Sequence, residues 1–505
     1  MNAVNVPPDR QSLTRWVSLM VVTVSAMVFA SWAVIAAVHI DDDYHVSWVS
    51  GSWIALARYV NEGVLYPPLH NGDSFGGTRY MPLQFVIHAG LARATGEYLV
   101  SGKVFAYASA IALYVVAFFL YKRISGSLPL ALGLVAAVLS SGTGLEAATT
   151  VRGDALPAAL QLGAVAAVAR RSRGATVLAG GLCALAFFSK LSAVWAAIAI
   201  VIWLAFKDRS RLPLFLLTLV ACGGVLFAIF EAASGGRMTS DILELAGAGQ
   251  PHPFSILGFA DKIVRAAQES GTMWVLLPFA LASIGGAVFA RRIAIYHIAG
   301  LVAIAVVILV MTDLGAYTNH FLDVQILVGV LVADVWRQSP PNGSNFMHPA
   351  ILAAVLLGTL ASYDTEVIND TKSAVRALAG RDQGYEAAPL ATVLTAGDRI
   401  FSEDPYVPVS RGEDPIVLDP FMLRKLTADH PDWQRQLIDE IDAHRFSKVL
   451  LIYQLDPVNA WWWRNFDFGT PVATAMSKNY RLLDVPDYYR APAHLWVYVP
   501  RGTSS

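Results

Sequence analysis

The sequence predicts an α-helical polytopic membrane protein of about 11 transmembrane helices, followed by a small C-terminal α/β domain. Three observations predict it. Hydrophobic residues make up 55% of the 505-residue chain and charged residues 15%, where a soluble domain carries roughly 25% charged. Mean hydropathy is +0.50. The charge is also unevenly spread: 35 of the 75 charged residues lie after Tyr363. Residues 364–505 therefore have a soluble domain's composition, about one charge in four, and residues 1–363 have a membrane protein's. A formal net charge of −1 gives no pull toward nucleic acid, so none is expected as a partner. Cys183 and Cys222 both lie in apolar runs, which does not suit a disulfide framework.

A spanning helix takes about 20 mostly apolar residues, fewer where neighbours bury its ends. Candidates are 16–40, 100–121, 128–140, 155–169, 175–188, 191–206, 212–230, 273–290, 293–311, 321–336 and 350–361. The first is too long for a signal-peptide core and has no small-residue cleavage site before Asp41. Basic residues orient the set. They cluster at Arg10 and Arg15, Lys122 and Arg123, Arg170 to Arg173, Lys207 to Arg211, Arg291 and Arg292, and Arg337, at every second loop. One topology satisfies all of them: N-terminus in the cytoplasm, C-terminal domain outside the inner (plasma) membrane. It requires 81–94, opened by Pro82, to lie in the outer interface rather than cross. The outward surface then comprises a first loop over 41–101, a second over 232–271, and the C-terminal domain.

Five polar groups fall on that outward side. Asp41-Asp42-Asp43-Tyr44-His45 follows the first span. It reads as a solvated loop start, or as a general base or cation site, since neighbouring carboxylates raise one another's pKa and hard cations take carboxylate oxygens. A divalent cation is thus one option, and no cofactor is required. Gly77-Thr78-Arg79-Tyr80-Met81-Pro82-Leu83 places an Arg–Tyr pair to snorkel to headgroups or to grip a lipid phosphate. Arg152-Gly153-Asp154 opens the fourth span, where the two charges pair, cap the helix or bind substrate. Lys190 is a lone lysine between two apolar runs, and an ionisable residue so placed is a site candidate. Asn319 and His320 precede Asp323; they bind sugar hydroxyls or phosphate oxygens, or satisfy each other. Five groups on one face argue against a non-catalytic scaffold.

Taken in order, these motifs resemble the GT-C superfamily of membrane glycosyltransferases. The acidic residues before Tyr44, Tyr80-Met81-Pro82-Leu83, Arg152-x-Asp154, Lys190 and Asn319 to Asp323 carry the likeness, over roughly residues 15–340. It is nearest to the bacterial family 39 enzymes, relatives of the protein-mannosyl and aminoarabinose transferases. The resemblance implies a polyprenyl-phosphate sugar as donor and a catalytic base at Asp42 or Asp43. It implies that Arg79, Tyr80, Arg152 and Lys190 hold the donor phosphate, with Asp154, Asn319 and His320 toward substrate. The acceptor would be an extracytoplasmic glycan, lipid or protein. A membrane-borne donor also suits a chain with neither a P-loop nor a dinucleotide fingerprint. The rival reading is a transporter or lipid flippase. Those tend to show paired repeats and mid-bilayer polar breaks; here no internal repeat is evident and the polar residues gather at one face.

The tail reads as strands at 447–454 and 495–499 with an amphipathic helix at 432–444. Trp461-Trp462-Trp463 reads as core or interface anchoring, or as a sugar-stacking platform.

Overall fold

A computed structural model describes residues 8–44, 46–247, 256–312, 316–339, 346–363, 366–380, 393–456, 459–483 and 495–502. Each of the eleven candidate spans is a helix. They are α1 (Pro8–Val38), α4 (Tyr98–Ser125), α5 (Leu128–Leu139), α7 (Ala155–Val168), α8 (Arg173–Ser189), α9 (Trp195–Lys207), α10 (Leu212–Ala233), α13 (Gly271–Phe289), α14 (Ile295–Val310), α15 (Leu322–Gln338) and α16 (Met347–Tyr363). Five helices are long and apolar enough to cross a membrane, and two further pairs qualify as bent spans. Four shorter apolar helices, α7, α8, α9 and α14, account for the rest. Between the spans lie α2 (Trp48–Asn61), α3 (Pro82–Thr95), α6 (Gly142–Thr149), α11 (Arg237–Gly247), α12 (Ile256–Glu269) and α17 (Glu366–Leu378). The segment expected in the interface is α3. It starts at Pro82, ends on the left-handed Gly96, and buries Gln84, Phe85 and His88.

Small residues let the helices close on one another, as membrane packing demands. A Cβ on Gly133 of α5 would lie 2.6 Å from Val21 of α1 and 2.7 Å from Val355 of α16. One on Gly329 of α15 would lie 2.6 Å from the Tyr121 hydroxyl, which donates to the Ile326 carbonyl at 2.9 Å. α5 breaks into α6 with an 80° bend. Ser141 turns the chain there, its hydroxyl accepting from Gly144 N at 3.0 Å. α6 then runs to the Arg152 loop, so this bend aims the loop at the bundle's end.

The C-terminal unit is a four-stranded sheet in the order β1-β2-β4-β3, from Ile400–Ser402, Lys448–Leu451, Tyr480–Leu482 and Trp496–Pro500. β1 and β2 are parallel and the other pairs antiparallel. Helices Pro431–Asp442 and Thr470–Asn479 pack on it, burying Leu437, Ile441, Val472 and Met476 with Phe401, Phe446 and Trp463. Phe75 of the first loop joins this core. Its backbone accepts from Leu418 N at 2.9 Å and donates to Ile416 O at 2.7 Å. Ser52 of α2 donates to Leu418 O at 2.7 Å. The loop after α1 is therefore shared by both units.

At Gly144 a Cβ would sit 1.9 Å from the Val138 carbonyl oxygen, which is backbone and cannot step aside. Gly144→Ala should lower the thermal midpoint in detergent by several degrees. Gly223→Ala, where a Cβ meets nothing within 4 Å, should leave it unchanged or slightly raised.

Candidate active site

Asp154 occupies the N-cap of α7, yet its side chain makes no capping bond. It turns into the bundle, 6% exposed, and takes Lys190 Nζ on Oδ1 at 2.6 Å. Asn319 Nδ2 donates to the same oxygen at 2.8 Å. Arg152 Nε lies 3.6 Å from Oδ2, and its guanidinium also pairs with Glu146. Burial alone would raise the Asp154 pKa, but Lys190, Arg152 and the Asn319 bond prevail and hold it well below the usual carboxylate range. Asp154 is thus a fixed anion that gathers the end of α8, the start of α7 and the turn before α15.

The same end is clamped by Gln84 of α3, whose amide donates to Gly153 O at 3.0 Å and Ser189 O at 2.9 Å. Gly153 has to be glycine: a Cβ there would lie 2.6 Å from the Trp53 ring. Trp53 in turn stacks on Tyr80 at 4.6 Å. Burial, with Asp419 and Asp154 adding to it and Arg79 and Arg152 working against it, pushes the Tyr80 hydroxyl well above its ordinary value; it is a neutral donor. Arg79 lies with its guanidinium 5.3 Å from the centre of the Phe421 ring. His320 feels Lys190, Asp154, Arg152 and Arg79 together, and Asp323 lies near Lys190. The structure therefore brings Arg79, Tyr80, Arg152, Asp154, Lys190, Asn319 and His320 to one end of the bundle.

The acidic triplet stands apart from this group. Asp42 takes His39 Nδ1 on Oδ2 at 2.5 Å and Tyr44 N on Oδ1 at 3.0 Å. Lys103 of α4, 1% exposed, lies 3.5 Å from Oδ1 and donates to the Asp42 carbonyl at 2.5 Å. Burial raises the Asp42 pKa, but the His39 bond and the charges of Lys103 and His39 outweigh it, so the group lies below its ordinary value. Asp43 is half-buried and acts on Asp404 and Tyr406 of the C-terminal unit. His45 lies outside the described residues. The described side-chain contacts of Asp42 thus go to Lys103 and His39 and not to Arg152 or Lys190. Among the described residues, no three His, Cys, Asp or Glu side chains converge to hold a metal ion.

Sequence reasoning missed Lys103, His39, Glu146 and Gln84. Lys103 had a signal, an ionisable residue inside an apolar span. Glu146 and Gln84 had none, since Glu146 is defined by Arg152 in the loop after its helix and Gln84 by the distant carbonyls of Gly153 and Ser189.

No family model and no curated protein matches the chain. Solved structures do match in three dimensions. ArnT from Cupriavidus metallidurans superposes with a TM-score of 0.59 at 12% identity, over 96% of this chain and 98% of that one, both in the apo state and bound to undecaprenyl phosphate. The apo oligosaccharyltransferase of Archaeoglobus fulgidus gives 0.54 at 11% identity, over 88% of this chain and 72% of that one. The chain has the GT-C fold. It is a polytopic membrane fold with a C-terminal domain, and at these identities the likeness is one of fold. Within this GT-C fold, the Asp154 assembly and the Asp42 assembly occupy the bundle end on which the C-terminal unit sits, through Phe75, Ser52 and Gly51. A Cβ on Gly51 would lie 2.2 Å from Asp404 Oδ1.

Burial pushes the Asp404 carboxyl up to about 7, the Tyr406 N–H bond working against it and Asp43 and Glu403 adding to it. A folded pKa above the unfolded one gives stability that is full below about pH 4 and lost as pH rises to about 7. Asp404→Asn keeps the Oδ1 acceptor that takes Tyr406 N at 2.9 Å. The variant should therefore melt above wild type at pH 8, with the difference shrinking toward pH 5. An equal shift at both pH values would show that Asp404 does not titrate in this range.

Proposed function

We propose that the chain is an inverting glycosyltransferase that moves a sugar from a polyprenyl-phosphate donor to an extracytoplasmic glycan, lipid or protein acceptor. The observation that carries this reading is the Arg152–Asp154–Lys190 assembly, two cations held by one buried carboxylate at the end of a GT-C bundle. ArnT, which superposes over nearly its whole length, is a protein solved with undecaprenyl phosphate bound.

Lys190 is suited to the donor phosphate. An ammonium has three donors, and Asp154 takes one; the side chain is 25% exposed, so the others are reachable. Arg152 and Arg79 add guanidinium groups, and Tyr80 a neutral O–H. The acceptor hydroxyl attacks the anomeric carbon from the face opposite the phosphate. The new C–O bond forms as the bond to the phosphate oxygen breaks, and the polyprenyl phosphate leaves with the electron pair. The hydroxyl proton passes to a first-loop carboxylate, Asp42 or Asp43. Cations fixed in advance stabilise the leaving phosphate without reorganising. Asn319 and His320 are assigned to the sugar hydroxyls. Asp42 accepts from His39, Tyr44 N and Lys103, which fix its carboxylate in place.

The basic clusters support a cytoplasmic N-terminus in the inner membrane, with this bundle end and the C-terminal unit outside. A reporter active only in the periplasm, fused after Ser505, should be active; activity of a cytoplasm-only reporter there would overturn the orientation.

Lys190→Ala should weaken use of a polyprenyl-phosphate donor by about 10- to 100-fold, the size of one lost charge-assisted bond, roughly 1.5–3 kcal/mol. Of Asp42→Asn and Asp43→Asn, one should lose about 10²–10⁴ in transfer rate and the other far less. Transfer by membranes of both aspartate variants at the wild-type rate would remove the base from the first loop and leave Asp154 or Asp323 as the next candidate.

A further inference from the structure

We propose that the C-terminal unit carries a carbohydrate-binding platform, formed by Tyr453, Trp461, Trp462 and Phe466, which receives the acceptor glycan. The identity of the occupant as acceptor rests on the glycosyl-transfer reading above; the carbohydrate chemistry of the platform does not.

The three consecutive tryptophans part company in the fold. Trp463 is 3% exposed and packs in the core beside Phe468. Trp461 faces the other way and is 58% exposed, and Tyr453 is 41% exposed. Trp462 lies between. Its ring stacks on Phe466 at 5.0 Å with an interplanar angle of 11°, and Tyr453 meets it at 4.7 Å. Trp461 meets Phe466 at 4.9 Å. Trp462 is also fixed in its plane, because its Nε1–H donates to Glu403 at 2.8 Å. The Glu403 carboxylate is itself held by Ile452 N at 2.7 Å. These are rigid rings, half out of the protein, with Trp462 pinned from behind.

Rigid, open aromatic rings give apolar contact at low cost in side-chain entropy, and recognition needs only a few polar groups around them. A sugar ring supplies the matching surface, a C–H face bordered by hydroxyls. Around the platform are Gln454, Asp456, Arg464 and Asn465, all polar and none buried. Asn465 is already oriented, its amide donating to Trp461 O at 2.8 Å.

The position points the same way. Phe466 meets Phe421 at 6.4 Å, and Phe421 lies beneath Arg79 at 5.3 Å. Tyr80 follows Arg79 and stacks on Trp53, against Gly153 of the Asp154 loop. A chain of contacts through Phe421, Arg79, Tyr80 and Trp53 thus joins the back of the platform to the candidate active site.

The test uses the full chain in lipid nanodiscs on an array of neutral and acidic oligosaccharides, with undecaprenyl phosphate binding measured on the same samples. Wild type should bind at least one class of oligosaccharide. Trp461→Ala and Tyr453→Ala should weaken that binding roughly tenfold or more, Trp461→Phe should recover most of it, and undecaprenyl phosphate binding should not move. Absence of any oligosaccharide binding by wild type, or equal binding by Trp461→Ala, would overturn the platform. So would quenching of tryptophan fluorescence by brominated lipid that disappears in Trp461→Ala, which would make Trp461 a membrane anchor. Oligosaccharide binding without undecaprenyl phosphate binding would keep the platform and sink the donor assignment.

Discussion

The architecture of the site depends on one buried carboxylate. An anion that is 6% exposed at the end of an apolar bundle persists only if cations and donors meet it, because an unpaired charge there costs several kcal/mol. Asp154 satisfies that demand from three places: Arg152 on its own loop, Lys190 beyond α8 and Asn319 before α15. Each helix end is thereby fixed relative to the others. Lys190 is held by Asp154 and keeps a quarter of its side chain exposed. Gln84 repeats the arrangement with backbone carbonyls, tying α3 to Gly153 and Ser189.

The first loop extends this frame to the C-terminal unit. Burial of a Phe side chain stabilises by about 1.5–3 kcal/mol, and Phe75 spends that stabilisation in the core of the sheet domain, not in the bundle. A few residues later Tyr80 stacks on Trp53 of α2. Arg79 lies between the two anchors and over Phe421 of the helix Pro420–Asp429. The arginine's position is thus set jointly by both units. A change in the C-terminal unit would reach the phosphate end through this short segment without touching the bundle.

The helices were legible in the sequence because length and hydropathy are local properties: all eleven expected spans are helices, differing only at their ends. α9, for example, starts at Trp195 after a turn at 191–194. Two of the tail's four strands and the helix Pro431–Asp442 were legible for the same reason; the three-residue strands Ile400–Ser402 and Tyr480–Leu482 were too short to stand out. The polar residues of the site were legible as candidates, because charge in an apolar setting is also local. Their pairing was not. Lys190 and Asp154 are 36 positions apart, and Asn319 and Asp154 are 165 apart; nothing in spacing joins them. The triplet misled in the opposite way. Three adjacent aspartates look like one unit, yet the backbone sends Asp42 to Lys103 and Asp43 toward Asp404. Lys103 was hidden because it looks like part of a span.

A second buried aspartate shows why the Asp154 assembly reads as a site. Asp334, fully buried in α15, pairs with Arg337 at 2.6 Å and accepts from Ser283 of α13 at 3.0 Å. His297 of α14 lies 3.3 Å away, and Gln338 also donates to it. Arg337 comes from the next turn of its own helix, and the neighbouring helices supply a hydroxyl and an imidazole. Such an arrangement joins α13, α14 and α15 and asks for nothing more; one cation answers one anion. Around Asp154 the charged partners come from different segments, and Arg152 is divided between Asp154 and Glu146. Lys190 keeps a quarter of its surface open. Both assemblies neutralise a buried aspartate, and both leave their cation with donors to spare, Arg337 being 55% exposed and Lys190 25%. The difference is convergence: Asp334 is served by the next turn of its own helix, whereas Asp154 draws Arg152, Lys190 and Asn319 from separate segments to one place at the opposite end of α15.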